Sequence, residues 1–292
     1  MDGIIIIDKP LGRTSHDMVS FTRRLFGIKK VGHTGTLDPD ATGVLPVCIG
    51  KATKTTDMLT ASDKAYRTQL VLGMTTDTQD ASGEILAEQP VLVTKTEIEN
   101  AIKSFIGEIE QIPPMFSAIK KDGKKLYELA RKGITIEREK RRVKIFDINI
   151  CEIDMEKLTV TIEVSCSKGT YIRTLCEDIG MKLGCGAYMN TLVRTKSADF
   201  TLDHSFTQEK LLEMKENGSL ESAVIPVDEL FAEYPKVKLD AFLSAKTKNG
   251  VRIRRKNLTE GTLYRLYDEN NVFLCISKYI NGELVLEKAF WS

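Results

Sequence analysis

The chain has 292 residues, of which 42% are hydrophobic and 28% charged, a balance typical of a globular protein with a sizeable core in one large domain, or in one large and one small domain. Its 42 Lys and Arg residues are matched by 41 Asp and Glu residues, so the formal net charge is only +1. This near-neutrality excludes a uniformly basic nucleic-acid-binding protein, and any surface of that kind must arise from local clusters of charge.

Patterns for membrane insertion, secretion or metal binding are not found in the sequence. No apolar run approaches the roughly 20 residues of a membrane span. The GIIII run near the start is too short for a signal peptide and is followed by Asp8. The six cysteines include no CxxC pair and the three histidines are scattered, so we expect reduced thiols and no metal site. These features predict a cytoplasmic protein.

The first predicted elements lead into an unusual loop. Residues 3–8, an apolar run that ends at Asp8, predict a short strand, and Thr14 begins a Thr-x-x-Asp capping box that predicts the start of a helix. Gly27 is a suitable end for that helix. The stretch VGHTGTLDPDATG, residues 31–43, contains three glycines and predicts a loop, which is followed by a strand over residues 44–49.

Asp38 is the first candidate for chemistry, because it lies in this glycine-rich loop before Pro39, which favours an extended backbone at Asp38. Loops on a rigid scaffold often carry functional residues. The alternative is a turn-forming aspartate with no further role. Asp40, two residues on, is a second candidate that spacing alone does not exclude. His33 in the same loop could contact a nucleic acid or cap a turn.

The middle of the chain mixes strand and helix patterns. Residues 66–72 and 158–166 alternate apolar and polar side chains, as strands do. A second capping box predicts a helix over residues 94–105, and residues 172–183 carry apolar side chains at helical spacing up to Gly184. Because these elements do not follow a strict βαβ order, they predict an α+β protein.

Two residues on these elements are candidates for binding or catalysis. Arg173 falls in the first turn of its predicted helix, where the helix dipole disfavours a cation, and this conflict indicates an anionic partner elsewhere in the fold. The alternative partner is Glu177, one turn along the same helix. Tyr66 lies between Lys64 and Arg67, a setting that suits stacking on a nucleic-acid base and also suits an ordinary strand tyrosine.

Local positive charge is concentrated in two stretches. Residues 120–144 contain eleven Lys and Arg against four Asp and Glu, and residues 246–256 contain six Lys and Arg with no acid. Short strand patterns from residue 237 onward predict a small β-rich C-terminal domain, after a connector over about residues 221–235. Each basic stretch could be a solvated face or a track for a phosphate backbone.

Six stretches, in order along the chain, together resemble one family. They are GIIIIDKPLGRTS, GHTGTLDPDATGVLP, DKAYR, TDTQDASG, IPPMFSAIKKDGKKLYELARKG and CSKGTYIRTLCEDIG. These stretches cover most of the chain up to Thr195 and closely resemble the motifs of the bacterial tRNA pseudouridine-55 synthases, the TruB family. The basic C-terminal segment resembles, more loosely, the PUA-type RNA-binding domain that ends many members.

The resemblance implies a pseudouridine synthase fold, with a mixed, mainly antiparallel central sheet and flanking helices over residues 1–225. It also implies a small PUA-like RNA-binding domain over residues 236–292. The activity that it implies is isomerisation of uridine 55 in the T-loop of tRNA to pseudouridine. The enzyme would bind the tRNA T-arm, act as a monomer without an obligate protein partner, and need no cofactor.

Residue roles follow from positions within the motifs. Asp38 holds the position of the aspartate in Leu-Asp-Pro, which implies that it is the catalytic carboxylate and nucleophile. Tyr66 corresponds to the pocket tyrosine, and Arg173 to the arginine that pairs with the catalytic aspartate and would orient it through charge-assisted hydrogen bonds. The substrate-binding residues that the family implies are Lys9, His33 and Leu192.

Two chemical routes and two other functions stay open at this point. The carboxylate could attack C1′ of the ribose, as in retaining glycosidases, or remove a sugar proton to give a glycal. Tyr66 could be a base or only a stacking platform. The alternative functions are a related uridine isomerase that acts on another RNA or is guided by a partner RNA, and a non-catalytic tRNA-binding or tRNA-folding protein.

Overall fold

The computed structural model describes residues 2–121 and 123–291. The strands in these residues are, in chain order, β1 (Gly3–Lys9), β2 (Val31–His33), β3 (Ala41–Ile49), β4 (Lys64–Leu72), β5 (Met74–Thr76), β6 (Ile85–Glu88), β7 (Gly107–Gln111), β8 (Lys120–Lys121), β9 (Lys124–Lys125), β10 (Arg141–Asp154), β11 (Thr159–Cys166), β12 (Ala187–Ser197), β13 (Phe200–Thr201), β14 (Ile225–Pro226), β15 (Lys236–Lys238), β16 (Ile253–Arg254), β17 (Leu263–Tyr267), β18 (Phe273–Ile280) and β19 (Glu283–Ala289). The α-helices are α1 (Ser15–Phe26), α2 (Thr56–Thr60), α3 (Lys95–Lys103), α4 (Leu126–Ala130), α5 (Ile172–Leu183), α6 (Gln208–Glu216) and α7 (Ala241–Lys248). Short 3₁₀ helices cover Gly50–Thr55, Leu202–His204, Leu220–Ala223 and Val227–Phe231.

A ten-stranded sheet forms most of the fold, in the order β14-β1-β3-β12-β4-β11-β10-β7, with β2 beside β3 and β13 beside β12. Neighbouring strands along this path are antiparallel except β3 and β12, which are parallel. The predicted α+β fold with a mixed, mainly antiparallel sheet is therefore confirmed. Because β3, β12 and β4 are adjacent, three distant parts of the chain meet near the centre of the sheet.

Local sequence signals account for the helix boundaries. The capping boxes predicted at Thr14 and Thr94 are both present, with each hydroxyl accepting a hydrogen bond from the N–H three residues on. Gly27 and Gly184 end α1 and α5 in the left-handed conformation, which glycine adopts without strain. The helix α3 ends earlier than predicted, at Lys103, because the chain turns there towards β7.

Strand β1 is buried on both faces, which explains its unbroken run of isoleucines. Ile5 and Ile7 pack against α1 and α6 on one face. Ile4 and Ile6 pack on the other face, in a cluster that includes Phe290 from the C-terminal part of the chain. The other half of the sheet packs against α3 and α5 through a further apolar cluster. The sheet is therefore covered by helices and by the C-terminal strands. These apolar contacts fix the positions of the helices and of the C-terminal strands around the sheet.

The C-terminal residues form a separate five-stranded sheet, in the order β15-β17-β18-β19-β16. The β-rich character and the Asn281-Gly282 hairpin turn agree with the sequence prediction. Helix α7 was not predicted; it lies partly in the second basic stretch, begins with a hydrogen bond to the side chain of Asp240, and buries few apolar residues that could have shown a helical pattern.

The connector before this sheet is folded and is fixed to it. Arg265 donates to the carbonyls of Asp228, Ala232 and Tyr234, and Tyr267 donates to the Asp228 carboxylate. The predicted division into domains 1–225 and 236–292 stays a prediction, and the two sheets lie on either side of this connector. In the part of the chain that the structure describes, no helix has the length and apolarity needed to cross a membrane.

Candidate active site

The loop that contains Asp38 joins β2 to β3 and is held by the start of α1. The Ser15 hydroxyl donates to the Leu37 carbonyl (3.1 Å) and accepts from the Leu37 N–H (2.8 Å). The carbonyl of Asp38 accepts from the N–H of Ala41 (3.1 Å), which closes the turn. These bonds fix the backbone of Asp38 while 46% of its side chain stays exposed, so the carboxylate is both positioned and accessible.

Lys9 ties the N-terminal segment to this loop. Its side chain is fully buried, and its amine donates to the carbonyls of Pro10 (2.9 Å), Arg13 (2.6 Å) and Pro39 (3.3 Å). Burial lowers the pKa of the amine to about 8, against the opposing effect of the loop carboxylates. The structure therefore places the Lys9 amine as a support of the loop backbone, and its predicted role in substrate binding stays a prediction.

Arg173 lies between two carboxylates. Its Nη2 is 3.1 Å from Asp38 Oδ2, and its Nη1 is 3.3 Å from Asp80 Oδ2. Nη2 also donates to the Phe116 carbonyl (2.8 Å) and Nη1 to the Thr78 carbonyl (3.3 Å). Only 8% of the Arg173 side chain is exposed. The two carboxylates therefore compensate a buried charge, and the shared guanidinium orients Asp38.

Asp80 is a residue of this site that sequence reasoning missed, although it lies in the TDTQDASG motif. Its Oδ1 accepts from the Ser82 hydroxyl (2.6 Å), which leaves Oδ2 directed at Arg173. The preceding residue, Gln79, has a φ of +65°, and its amide donates to Glu177. The Arg173–Glu177 pair that the sequence left open is thus not formed. The two aspartates of this motif, three residues apart, were the available signal.

Tyr66 lies in β4 and packs against the apolar cluster that contains Leu37 and Ala41, at the two ends of the Asp38 turn. Burial raises the pKa of its phenol, whereas the charge of Arg194, directly opposite in β12, acts to lower it. The phenol is therefore protonated at neutral pH and needs assistance to act as a base.

His33 and Leu192 occupy different surroundings. His33 ends β2, and its Nδ1 accepts from the Gly35 N–H (3.3 Å). Burial and the nearby charge of Arg194 lower the pKa of the imidazole, so it is neutral at physiological pH. Leu192 is 9% exposed, pairs with Ala41 across the parallel strands, and belongs to the same apolar cluster as Tyr66.

The structure thus places Arg173 in direct contact with both Asp38 and Asp80, with Tyr66 and Leu192 at the apolar cluster beneath the loop. This arrangement presents one oriented carboxylate at an accessible surface beside an aromatic ring. It is suited to nucleophilic attack on, or proton removal from, a flat ligand that rests on apolar side chains.

The geometry agrees with the family comparisons. The model of the TruB family pseudouridylate synthase N-terminal domain matches residues 23–172, and the model of the tRNA pseudouridylate synthase B C-terminal domain matches residues 173–232. A third model, pseudouridine synthase II TruB, C-terminal, matches residues 235–285. The chain belongs to the TruB family of pseudouridylate synthases and is an enzyme of that class.

Curated relatives cover nearly the whole chain. The tRNA pseudouridine synthase B of Alkaliphilus oremlandii is 52% identical over 253 residues, which are 87% of this chain and 83% of the relative. The tRNA pseudouridine synthase B of Clostridium novyi is 47% identical over 296 residues, 99% of each chain.

Solved structures of more distant proteins share the fold. A chain in the crystal structure of a Cbf5-Nop10-Gar1 complex superimposes with a TM-score of 0.72 at 28% identity, covering 99% of this chain and 85% of that one. A chain in the structure of an H/ACA RNP bound to a substrate RNA containing 2′-deoxyuridine gives 0.71 at 26% identity, with coverage of 99% and 85%.

Proposed function

We propose that this enzyme isomerises the uridine at position 55 in the T-loop of tRNA to pseudouridine, with Asp38 as the catalytic carboxylate. The observation that carries the proposal is the contact of Asp38 with the buried Arg173, at an accessible loop beside Tyr66. The names of the relatives, tRNA pseudouridine synthase B, support tRNA as the substrate.

The reaction breaks the C1′–N1 bond of uridine and joins C1′ to C5. On one route Asp38 attacks C1′, and the electron pair of the C1′–N1 bond leaves with the uracil. The uracil then turns, C5 attacks C1′ as the carboxylate departs, the C5 proton passes to a base, and N1 takes up a proton. On the other route Asp38 removes the C2′ proton while the electron pair of the C1′–N1 bond leaves with the uracil, which gives a glycal. C5 of the turned uracil then adds to C1′ and C2′ takes the proton back, after which the C5 proton passes to a base and N1 takes up a proton.

Both routes place the same requirement on Asp38, because in each the carboxylate must be ionised and held close to the ribose. Arg173 supplies the fixing through a charge-assisted hydrogen bond. Nothing is oxidised and no group is imported, so the reaction requires neither a redox cofactor nor a metal.

A uridine within a folded RNA loop must leave its stack to reach Asp38, which costs a few kcal/mol. Stacking on an aromatic side chain is worth about 1–3 kcal/mol per base and would offset much of this cost. Tyr66 is the aromatic residue next to the Asp38 loop, and we assign it the role of platform for the extruded base. Leu192 adds apolar surface, and His33 lies at the start of the loop, where the T-loop would pack.

The first basic stretch begins next to the site. Phe116, whose carbonyl accepts from Arg173, leads into the β8–β9 hairpin and α4. The lysines Lys120, Lys121 and Lys124 of this hairpin are exposed. We infer that this stretch follows the phosphate backbone of the T-arm, and that the basic part of the C-terminal sheet extends the contact. The protein would act in the cytoplasm as a monomer.

The decisive experiment is tritium release from unmodified tRNA labelled at uridine C5. We expect release by the wild type that disappears when the T-loop uridine is replaced. Asp38→Asn and Asp38→Ala should both abolish release, and the two together exclude deamidation as an artefact. Asp40→Asn is the matched control, since Asp40 is an exposed aspartate of the same loop. Release that survives in both Asp38 variants would show that another carboxylate is catalytic.

The same assay separates the alternative functions. Release from tRNA without any other RNA or protein is expected here, whereas an RNA-guided isomerase would require a guide. Binding of tRNA without release by the wild type would identify a non-catalytic tRNA-binding or tRNA-folding protein and refute the proposal.

The RNA surface has a separate test in the salt dependence of tRNA binding. Each phosphate contact adds about 0.7–0.9 to the slope of log affinity against log salt. Replacing Lys120, Lys121 and Lys124 with Gln should lower this slope by about 2. The matched control replaces Lys95 and Lys103 of α3, which lie outside the stretch. An unchanged slope in the hairpin variant would place the phosphate track elsewhere.

A further inference from the structure

Arg194 is a buried cation that the proposed reaction does not yet use. Its side chain is 1% exposed. In contrast to Arg173, it forms no salt bridge with any Asp or Glu in residues 2–121 and 123–291. Burial of a charge without a counter-charge opposes folding. The buried position of the Arg194 guanidinium is therefore not explained by a contribution to folding stability, and we look for a functional role.

Arg194 lies between the base of the Asp38 loop and Tyr66. Its Nε donates to the carbonyl of Val44 (2.7 Å) and its Nη2 to the carbonyl of Gly35 (3.3 Å), at the base of the Asp38 loop. In the β4–β12 pairing Arg194 lies directly opposite Tyr66, so the two side chains project to the same face of the sheet.

The backbone around Arg194 is built to hold this position. A register shift follows it in β12, between Arg194 and Lys196, and such irregularities redirect side chains next to functional sites. Across the parallel pair, Gly43 has a φ of +101°, and a Cβ there would lie 2.3 Å from the carbonyl oxygen of Arg194. Only glycine allows β3 to approach so closely.

We propose that Arg194 is a positioning residue that holds the Tyr66 hydroxyl and the base of the Asp38 loop in one fixed arrangement, and that its positive charge favours the negative charge that develops on the Tyr66 side of the site. This inference rests on the proposed function. When the C1′–N1 bond breaks, its electron pair leaves with the uracil, which becomes anionic. While the uracil lies on the Tyr66 ring, the buried cation stabilises this anion, and the hydroxyl that it holds is placed to take the C5 proton, which points out of the uracil plane once C5 is tetrahedral.

The local electrostatics agree with this role. The guanidinium opposes the rise in the pKa of Tyr66 that burial causes. Its charge also contributes to the lowered pKa values of His33 and Lys64, which flank the same region. The field of Arg194 therefore reaches the groups around Tyr66, and it has no carboxylate beside it in the described residues to cancel it.

A double-mutant cycle tests the proposal in single-turnover tritium release. Removal of one proton-transfer or positioning group costs about 100-fold in rate, and we expect this loss for Arg194→Met and for Tyr66→Phe. If Arg194 acts through Tyr66, the double variant is no slower than the slower single variant, within about threefold. Independent effects would instead multiply to about 10,000-fold, and that result would overturn the proposal.

Arg265→Met is the matched control, because Arg265 is also a buried arginine bound to backbone carbonyls, in the C-terminal sheet. It should lower stability without any coupling to Tyr66→Phe. Arg194→Met removes an uncompensated charge and retains the apolar volume, so we expect it to fold. Urea unfolding and tRNA affinity check this.

If Arg194→Met fails to fold, Arg194→Lys carries the same cycle, because lysine keeps the charge and loses the planar set of donors. We expect Arg194→Lys to slow the reaction when residue 66 is tyrosine. It should cause no further loss of rate in the Tyr66→Phe variant. Full activity of Arg194→Lys would refute the positioning role, because lysine keeps the charge without the planar donors. An equal loss in both backgrounds would refute the link to Tyr66. An inactive wild type would instead refute the proposed function.

Discussion

Asp80→Asn is the substitution that best isolates the orientation of Asp38. Asparagine keeps the size of the side chain and removes the charge that faces Arg173 Nη1 at 3.3 Å. At this distance two unit charges interact by about 5 kcal/mol at an effective dielectric constant of about 20. Most of this is offset, because Arg173 keeps Asp38 and two carbonyls as partners.

The remaining effect is the difference between a charge-assisted and a neutral hydrogen bond, about 1–2 kcal/mol. If it acts on the transition state, the single-turnover rate should fall by about 5- to 30-fold. The affinity for tRNA should change little, since the Asp80 side chain is only 15% exposed. Rapid-quench tritium release gives the rate, and filter binding gives the affinity.

Asp77→Asn is the control for this experiment. Asp77 lies in the same loop and is exposed, and its carboxylate accepts from the N–H of Glu84 without contact to Arg173. The reasoning would be refuted if Asp80→Asn kept the wild-type rate, if its loss lay only in tRNA affinity, or if Asp77→Asn lost as much.

Two further predictions concern stability. Burial and the charge of a neighbouring glutamate raise the pKa of Asp178 from 3.8 to about 6, so stability is lost as the pH rises through that range. Asp178→Asn should flatten this profile in urea unfolding and add about 1 kcal/mol at neutral pH after allowance for solvent screening; the exposed Asp203 serves as the control. Gly43→Ala should cost about 3 kcal/mol or more, through strain and the contact with Arg194, whereas Gly27→Ala, with open space around it, should cost about 1 kcal/mol. Equal losses in the two glycine variants would contradict the role given to the close approach.

The elements that were predicted correctly are those whose signals are local. Thr14 and Thr94 show their capping boxes within four residues of sequence, and Gly184 ends its helix through its own backbone freedom. The alternating pattern of 158–166 gave β11 because a half-buried strand needs nothing beyond a period of two.

The features that were missed depend on distant parts of the chain. Asp80 lies more than ninety residues before Arg173, and nothing near Asp80 in sequence reveals the guanidinium it faces. The parallel pairing of β3 with β12 is equally hidden, because β12 mixes apolar and polar residues and neither strand shows in its own sequence which strand lies beside it. Helix α7 was missed because it has too few buried apolar residues to show a helical period. Only its basic composition was visible in the sequence.

The sequence by itself determined the helix caps, the strand periodicity, the mixed class of the fold and, through six motifs, the family. It also singled out Asp38 and Arg173, since a cation in a first helical turn needs an anion. Only the tertiary structure decided which anions those are, turned Lys9 into a support of the loop, and placed Arg194 against Tyr66 without a counter-charge in the described residues. The physical reason is that ion pairs and buried charges are set by distances across the sheet, which a single chain segment does not encode.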